Sequence, residues 1–129
     1  MDHKARILIV DDQRQNREVL EVMLSQQGFV LQSAARGDDA LALVAEAPPD
    51  LILLDVMMPG LDGYEVAARL KGNPATRAIP VVLVSALHDT NAKELGKLAG
   101  VDHFLTKPVD RAELLATVEA LLGRARGVA

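Results

Sequence analysis

The feature that most constrains this chain is a regular alternation of two kinds of segment. Short apolar runs fall at Arg6 to Val10 (RILIV), Phe29 to Ala34 (FVLQSA), Asp50 to Leu54 (DLILL), Ile79 to Val84 (IPVVLV) and Val101 to Leu105 (VDHFL). Longer amphipathic stretches lie between and after them. Val19, Leu20, Met23 and Leu24 mark the first apolar face, Ala40, Leu41, Val44 and Ala47 the second, and Leu114, Val118, Leu121 and Leu122 the last. Spacings of three and four residues place such side chains on one side of an α-helix. Asp110 stands three residues before Glu113, a capping pair for the start of the last helix. Five strands alternating with five helices predict an α/β fold, a parallel sheet covered on both faces. RILIV, DLILL and VVLV are apolar without a break, as strands buried on both sides should be.

The 129 residues suit a single domain over 1–129, with a core at about 6–122 and a tail or the start of a linker at 123–129. Phe29, Tyr64 and Phe104 are the only aromatics, so the core must be aliphatic. A net charge of −4 with so few aromatics provides neither the basic footprint nor the stacking platforms of a nucleic-acid binder. Without cysteine, disulfides, thiolate chemistry and zinc–sulfur sites are excluded. Met1 to Arg6 is polar and resembles no signal peptide, and no apolar stretch approaches the length of a bilayer. A cytoplasmic protein with no membrane partner is the expectation.

Ligands of open parallel sheets bind outside the carboxyl ends of the strands. Asp11 and Asp12 follow the first predicted strand, Asp55 the third, Ser85 the fourth, and Thr106, Lys107 and Pro108 the fifth. Three carboxylates at neighbouring strand ends repel one another unless a cation joins them. Mg²⁺ suits such a site, because it takes oxygen ligands and commonly one or two carboxylates plus a phosphate. Lys107 adds a fixed positive charge and Ser85 a hydroxyl donor. These are the parts that stabilise a transferring phosphoryl group while a carboxylate attacks it. Asp55 is the natural nucleophile, since aspartate forms acyl phosphates.

These residues, in this order, resemble the receiver domains of two-component response regulators. The resemblance is carried by ILIVDDQ (Ile7 to Gln13), DLILLDVMMPGLDGYE (Asp50 to Glu65), PVVLVSA (Pro80 to Ala86) and FLTKP (Phe104 to Pro108). It spans roughly Arg6 to Leu122. It implies a doubly wound, flavodoxin-like (βα)₅ three-layer sandwich with sheet order 2-1-3-4-5. It implies that Asp55 is the phosphorylated aspartate, and that Asp12, Asp55 and the backbone carbonyl of Met57 are direct Mg²⁺ ligands. Asp11 would hold the ion through water. Ser85 corresponds to the switch hydroxyl, Phe104 to the aromatic coupled to it, and Lys107 to the phosphate-binding lysine, with Lys107–Pro108 resembling the family's cis peptide. A histidine kinase or histidine phosphotransfer protein would be the donor. The reader would be a downstream protein or fused output domain, with homodimerisation possible through the surface of the fourth helix, fifth strand and fifth helix. Such a domain is no enzyme in the ordinary sense, though it promotes its own phosphorylation and dephosphorylation. Met57 and Leu87 occupy positions where the family tunes phosphoryl lifetime. Both are apolar here, which predicts slow hydrolysis.

Three other readings fit less well. An aspartyl-nucleophile phosphatase of the haloacid-dehalogenase kind expects a second Asp two residues after the first, where Met57 stands. A flavodoxin-like cofactor binder needs Gly, Ser or Thr where Asp11-Asp12-Gln13 offers carboxylates. A phosphorylation-independent, receiver-like adaptor would not need so complete a site. His3, His88 and His103 are isolated and read as surface residues rather than phosphodonors.

Overall fold

A computed structural model describes residues 4–86 and 91–125. The elements follow as β1 (Arg6–Val10), α1 (Arg14–Leu24) with a short 3₁₀ turn (Ser25–Gln27), β2 (Val30–Ala34), α2 (Gly37–Glu46), β3 (Leu51–Asp55) and α3 (Gly63–Lys71). They continue with β4 (Val81–Ala86), α4 (Ala92–Ala99), β5 (His103–Lys107) and α5 (Arg111–Ala125). The five strands pair in parallel in the order β2-β1-β3-β4-β5, the doubly wound arrangement expected. The chain runs outward from β1 to β2 and then returns across β1 to β3. The carboxyl ends of β1 and β3 therefore flank the point where strand order reverses, the usual position of a site in such sheets.

Alternation along each strand splits the core into two layers. Ile7, Ile9, Leu51, Leu53, Val82, Val84 and Leu105 pack under Leu20 and Leu24 of α1 and Leu114, Val118, Leu121 and Leu122 of α5. Leu8, Val10, Ile52, Leu54, Val81 and Leu83 pack under Ala40 and Val44 of α2 and Val66, Ala67 and Leu70 of α3. α4 joins this second layer differently, because its buried residues are Ala92 and Gly96, while Leu98 is 85% exposed. A Cβ on Gly96 would lie 2.9 Å from Leu83 Cδ1, so the helix backbone approaches the sheet closely there.

Two local devices fix helices and strands at the two ends of the sheet. Asp62 caps α3 by accepting from the Glu65 N–H at 2.9 Å, while Glu65 Oε1 accepts from the Asp62 N–H. At the opposite end of the sheet, Lys71 Nζ donates to the carbonyls of Arg77 (3.0 Å) and Ile79 (2.8 Å) and to Asp102 Oδ2 (2.7 Å). Asp102 Oδ2 also accepts from the Val81 N–H at 2.8 Å, so one ion pair ties α3 to the starts of β4 and β5.

Several boundaries differ from the sequence expectation. β4 continues through Ser85 to Ala86 and β5 is shifted to His103–Lys107, with Ser85 opposite Thr106 and Ala86 opposite Lys107. Asp55 is likewise the last residue of β3, not the residue after it. Sheet ladders are made by backbone groups, so polar side chains at a strand's open end do not terminate it. Phe29 and Val101 precede their strands. Val19 is 52% exposed, leaving Leu20 and Leu24 to hold α1 down. Ala47 is the C-cap of α2. α5 continues through Gly123 to Ala125, beyond the predicted core. The expected cap of α5 is present, with the Glu113 N–H donating to Asp110 Oδ2 at 2.9 Å.

The contrast between α5 and α4 is measurable. Leu114→Ala removes a fully buried side chain and should lower unfolding free energy by about 2–5 kcal/mol. Leu98→Ala, on the exposed side of α4, should change it by no more than about 0.5 kcal/mol. Urea titration of both variants checks the difference.

Candidate functional site

The backbone delivers three acidic residues to the reversal point. Asp55 ends β3, and its neighbour in register on β4 is Val84. Asp11 follows β1 directly, where its N–H donates to the Ala34 carbonyl at 3.1 Å and its Oδ1 accepts from the Gln13 N–H at 2.9 Å. Asp12 comes next and is the most open of the three. One carboxylate oxygen from each lies within 4.8 Å of the others. Asp11 and Asp55 are only 2% and 6% exposed, so their charges are largely removed from water.

Lys107 is the counter-charge. Its Nζ donates to Asp55 Oδ1 at 2.8 Å and approaches Asp11 Oδ2 at 3.5 Å. It reaches them from the last residue of β5, two strands away from β3, and the Lys107–Pro108 peptide is cis as the resemblance implied. Burial pushes the Asp55 carboxyl above its ordinary range, and the charges of Asp11 and Asp12 push the same way against the opposing pull of Lys107. Burial works against the charge on Lys107, but the bond and charge of Asp55, together with Asp11, outweigh it and hold the amine above its usual value.

The loop from β3 to α3 is shaped by glycine. Gly60 has φ +76°, a region that side chains disfavour. Gly63 lies against the Asp55 carbonyl so tightly that a Cβ would collide with it, and its N–H donates to the Val56 carbonyl at 2.9 Å. The loop thus folds back against the residue that carries the acidic side chain. Met57, within this loop, is 73% exposed.

Ser85 and Phe104 belong to the other face. Asp55 continues the row of Leu51 and Leu53 toward α1 and α5, and Lys107 continues that of Leu105. Ser85 instead continues the row of Val81 and Leu83, and Phe104 packs, half-buried, against the second core layer. The Ser85 hydroxyl donates to the Ala86 carbonyl at 3.4 Å and makes no hydrogen bond to Asp55 or Lys107. The structure therefore gathers Asp11, Asp12, Asp55 and Lys107 and leaves Ser85 and Phe104 outside that cluster. Leu87 and His88, as well as His3, lie outside the described residues, and His103 is exposed on β5.

One contact at the site went unpredicted. Arg17, in the first turns of α1, donates from Nη1 to the Asp11 carbonyl at 2.7 Å. Its position four residues after Gln13, at the start of a helix, was the one available signal.

A sheet of this order with an acidic pocket and a lysine at its reversal point defines a receiver. The chain belongs to the response regulator receiver domain family, whose profile matches residues 7–119. PleD of Caulobacter vibrioides is 47% identical over 117 residues, covering 91% of this chain and 26% of that protein. PilH of Pseudomonas aeruginosa is 41% identical over 118 residues, covering 92% of this chain and 98% of that protein. The chain thus spans about a quarter of the length of PleD and nearly all of PilH. Among solved structures, the signal receiver domain of a signal transduction histidine kinase from Syntrophus aciditrophicus superposes with a TM-score of 0.87 at 36% identity, covering 92% of this chain and 90% of that one. The Vibrio cholerae chemotaxis protein CheY4 superposes with a TM-score of 0.85 at 28% identity, covering 92% and 99%. Among the described residues no helix is long and apolar enough to cross a membrane.

The raised Asp55 value has a definite consequence for stability. The folded state holds the Asp55 proton more tightly than the unfolded chain, so this group contributes most below the ordinary Asp value of about 3.9. That contribution falls as pH rises through the folded value. In metal-free buffer Asp55→Asn should therefore melt above the wild type at neutral pH. Its melting temperature should also decline less between pH 4 and 7, as thermal scans across that range will show.

Proposed function

We propose that this chain is a phosphoryl-accepting switch that takes its phosphate on Asp55 from the phosphohistidine of a kinase or phosphotransfer protein. The observation that carries this reading is the ion pair of Lys107 with Asp55, beside two further carboxylates, at the carboxyl ends of β1, β3 and β5. An Asp55 oxygen attacks phosphorus, the bond from phosphorus to the donor nitrogen breaks, and an acyl phosphate is left on Asp55. Lys107, already within hydrogen-bond reach of Asp55, would then neutralise charge on the phosphoryl oxygens.

The donor set fits Mg²⁺: it is made of carboxylate oxygens, two of them on buried residues, with one ammonium opposite three negative charges. On this reading Asp12, Asp55 and the Met57 carbonyl hold the ion directly and Asp11 holds it through water. When bound, the ion supplies positive charge toward the transferring phosphoryl oxygens. Ser85 would turn its hydroxyl from the Ala86 carbonyl toward the new phosphate, and Phe104 would repack with it. The surface of α4, β5 and α5 would then differ between the two states and bind a partner protein, a fused output domain or a second copy. The chain reads as one receiver over 1–129 with its core at about 6–122. It would work in the cytoplasm through protein partners, without direct contact to nucleic acid or membrane, and would promote its own phosphorylation and dephosphorylation.

Incubation with a small phosphodonor and Mg²⁺, followed by intact-mass spectrometry, tests the assignment. The wild type should gain one phosphoryl group and Asp55→Asn none. Equal labelling of both would remove Asp55 from its role, and no labelling of the wild type would favour the adaptor reading.

The lifetime of the acyl phosphate provides a second measurement. Water must approach phosphorus in line, and a polar side chain at position 57 could orient it where the exposed Met57 offers none. Met57→Asn should speed phosphate release by up to about tenfold, since small misalignments of an attacking group are worth 10²-fold. A variant that loses phosphate at the wild-type rate would remove Met57 as the cause of slow turnover.

A further inference from the structure

Asp12 is held differently from the other residues of its site. Asp11 is fixed through its N–H, both carboxylate oxygens and its carbonyl, whose partners are Ala34, Gln13, Lys107 and Arg17. Asp55 is fixed by the end of β3 and by Lys107. The Asp12 carboxylate makes no hydrogen bond or ion pair with any described residue. No side-chain contact places it, so the backbone that carries it is what brings it to the pocket.

The Asp11 carbonyl and the Asp12 nitrogen belong to the same peptide unit, and that unit is planar and stiff. Whatever grips the carbonyl oxygen also holds in place the Asp12 N–H and the Asp12 Cα, the atom from which its side chain extends. Arg17 Nη1 grips it at 2.7 Å. The Arg17 backbone N–H donates in turn to the Gln13 carbonyl at 3.2 Å, so one helical residue ties both ends of the Asp11–Gln13 loop. The guanidinium is half-buried and is directed to a carbonyl, not to one of the nearby carboxylates. A mere counter-charge would be expected to seek the carboxylates.

We propose that Arg17 is a positioning residue that aims the Asp12 carboxylate at the cation site through the rigid Asp11–Asp12 peptide. The proposal rests on the reading of the site as a Mg²⁺-dependent phosphoacceptor centre. It makes a sign prediction that separates it from simple electrostatics. Removing a positive charge beside an acidic pocket should tighten cation binding, whereas removing an aiming contact should weaken it.

The test is Mg²⁺ titration of the full chain as wild type, Arg17→Gln, Asp12→Asn and the double variant, with melting temperatures recorded for each. Arg17→Gln should bind Mg²⁺ on the order of tenfold more weakly, the usual scale for residues that orient a metal ligand. In the Asp12→Asn background it should cause little further loss. In the metal-free protein, the order parameter of the Asp12 amide should fall from about 0.85 toward 0.6 on the same substitution. Unchanged or tighter binding, or an equal loss with and without Asp12, would overturn the role assigned to Arg17 while leaving the site intact. A wild type that binds no Mg²⁺ would overturn the reading of the site itself, and this proposal with it. Should Arg17→Gln not fold, Arg17→Met keeps the aliphatic stem and carries the same cycle.

Discussion

The contact of Lys107 with Asp55 and Asp11 is what lets the rest of this site exist. Two carboxylates buried to within a few per cent of completely, with a third beside them, would be untenable at the end of an apolar sheet without it. Lys107 does not remove the strain altogether, since burial still keeps the Asp55 carboxyl above its ordinary range. What remains is a pocket with an excess of negative charge, unable to relax because its members are anchored to three different strands or their ends. A preorganised appetite for cationic charge follows from that geometry. Such pairs rarely add to stability compared with apolar residues of the same volume, and their persistence is more readily explained by what they hold ready.

The pleat of the sheet divides labour across its thickness. Asp55 and Lys107 fall on the side of α1 and α5, whereas Ser85 and Phe104 fall on the side of α2 to α4. A group added to Asp55, as the proposed function requires, would be felt on the opposite face only if a side chain at the rim of the sheet crosses over. Ser85 is one register step beyond the Asp55–Val84 pair and is bonded weakly to its own strand, so it has little to give up in doing so. Phe104 lies below it on the neighbouring strand, within 4.0 Å of where Gly96 would carry a Cβ. Space on that face is therefore provided by the absence of a side chain in α4.

Much of this was legible in the sequence, for a physical reason: burial on both faces forces continuous apolar runs, and strand ends force chemistry into the residues beside them. RILIV and DLILL announced β1 and β3, with Asp11, Asp12 and Asp55 standing where those runs stopped, and Lys107 stood two residues after VDHFL. The ends of β4 and β5 were less visible, because a backbone ladder continues under Ser85, Thr106 and Lys107 regardless of their polarity. Val19 shared its spacing with Leu20 and Leu24 but points away from the core, a difference of one helical step that periodicity does not resolve. Nor does spacing reveal a rotamer, so the hydroxyl of Ser85 turning to Ala86 was unreadable. Arg17 was hidden more deeply, since its partner is a backbone carbonyl and every residue carries one.

α4 rests on the sheet through Ala92 and Gly96, leaving Leu98 in solvent. A buried leucine would contribute about 1.5–3 kcal/mol to holding a helix in place. A glycine within a helix forfeits roughly 1 kcal/mol relative to alanine. A helix seated on such small residues is held to the sheet by less apolar burial than one anchored by a leucine. On the proposed reading, the side of the molecule that a partner would meet is also the side whose helix is seated on small residues.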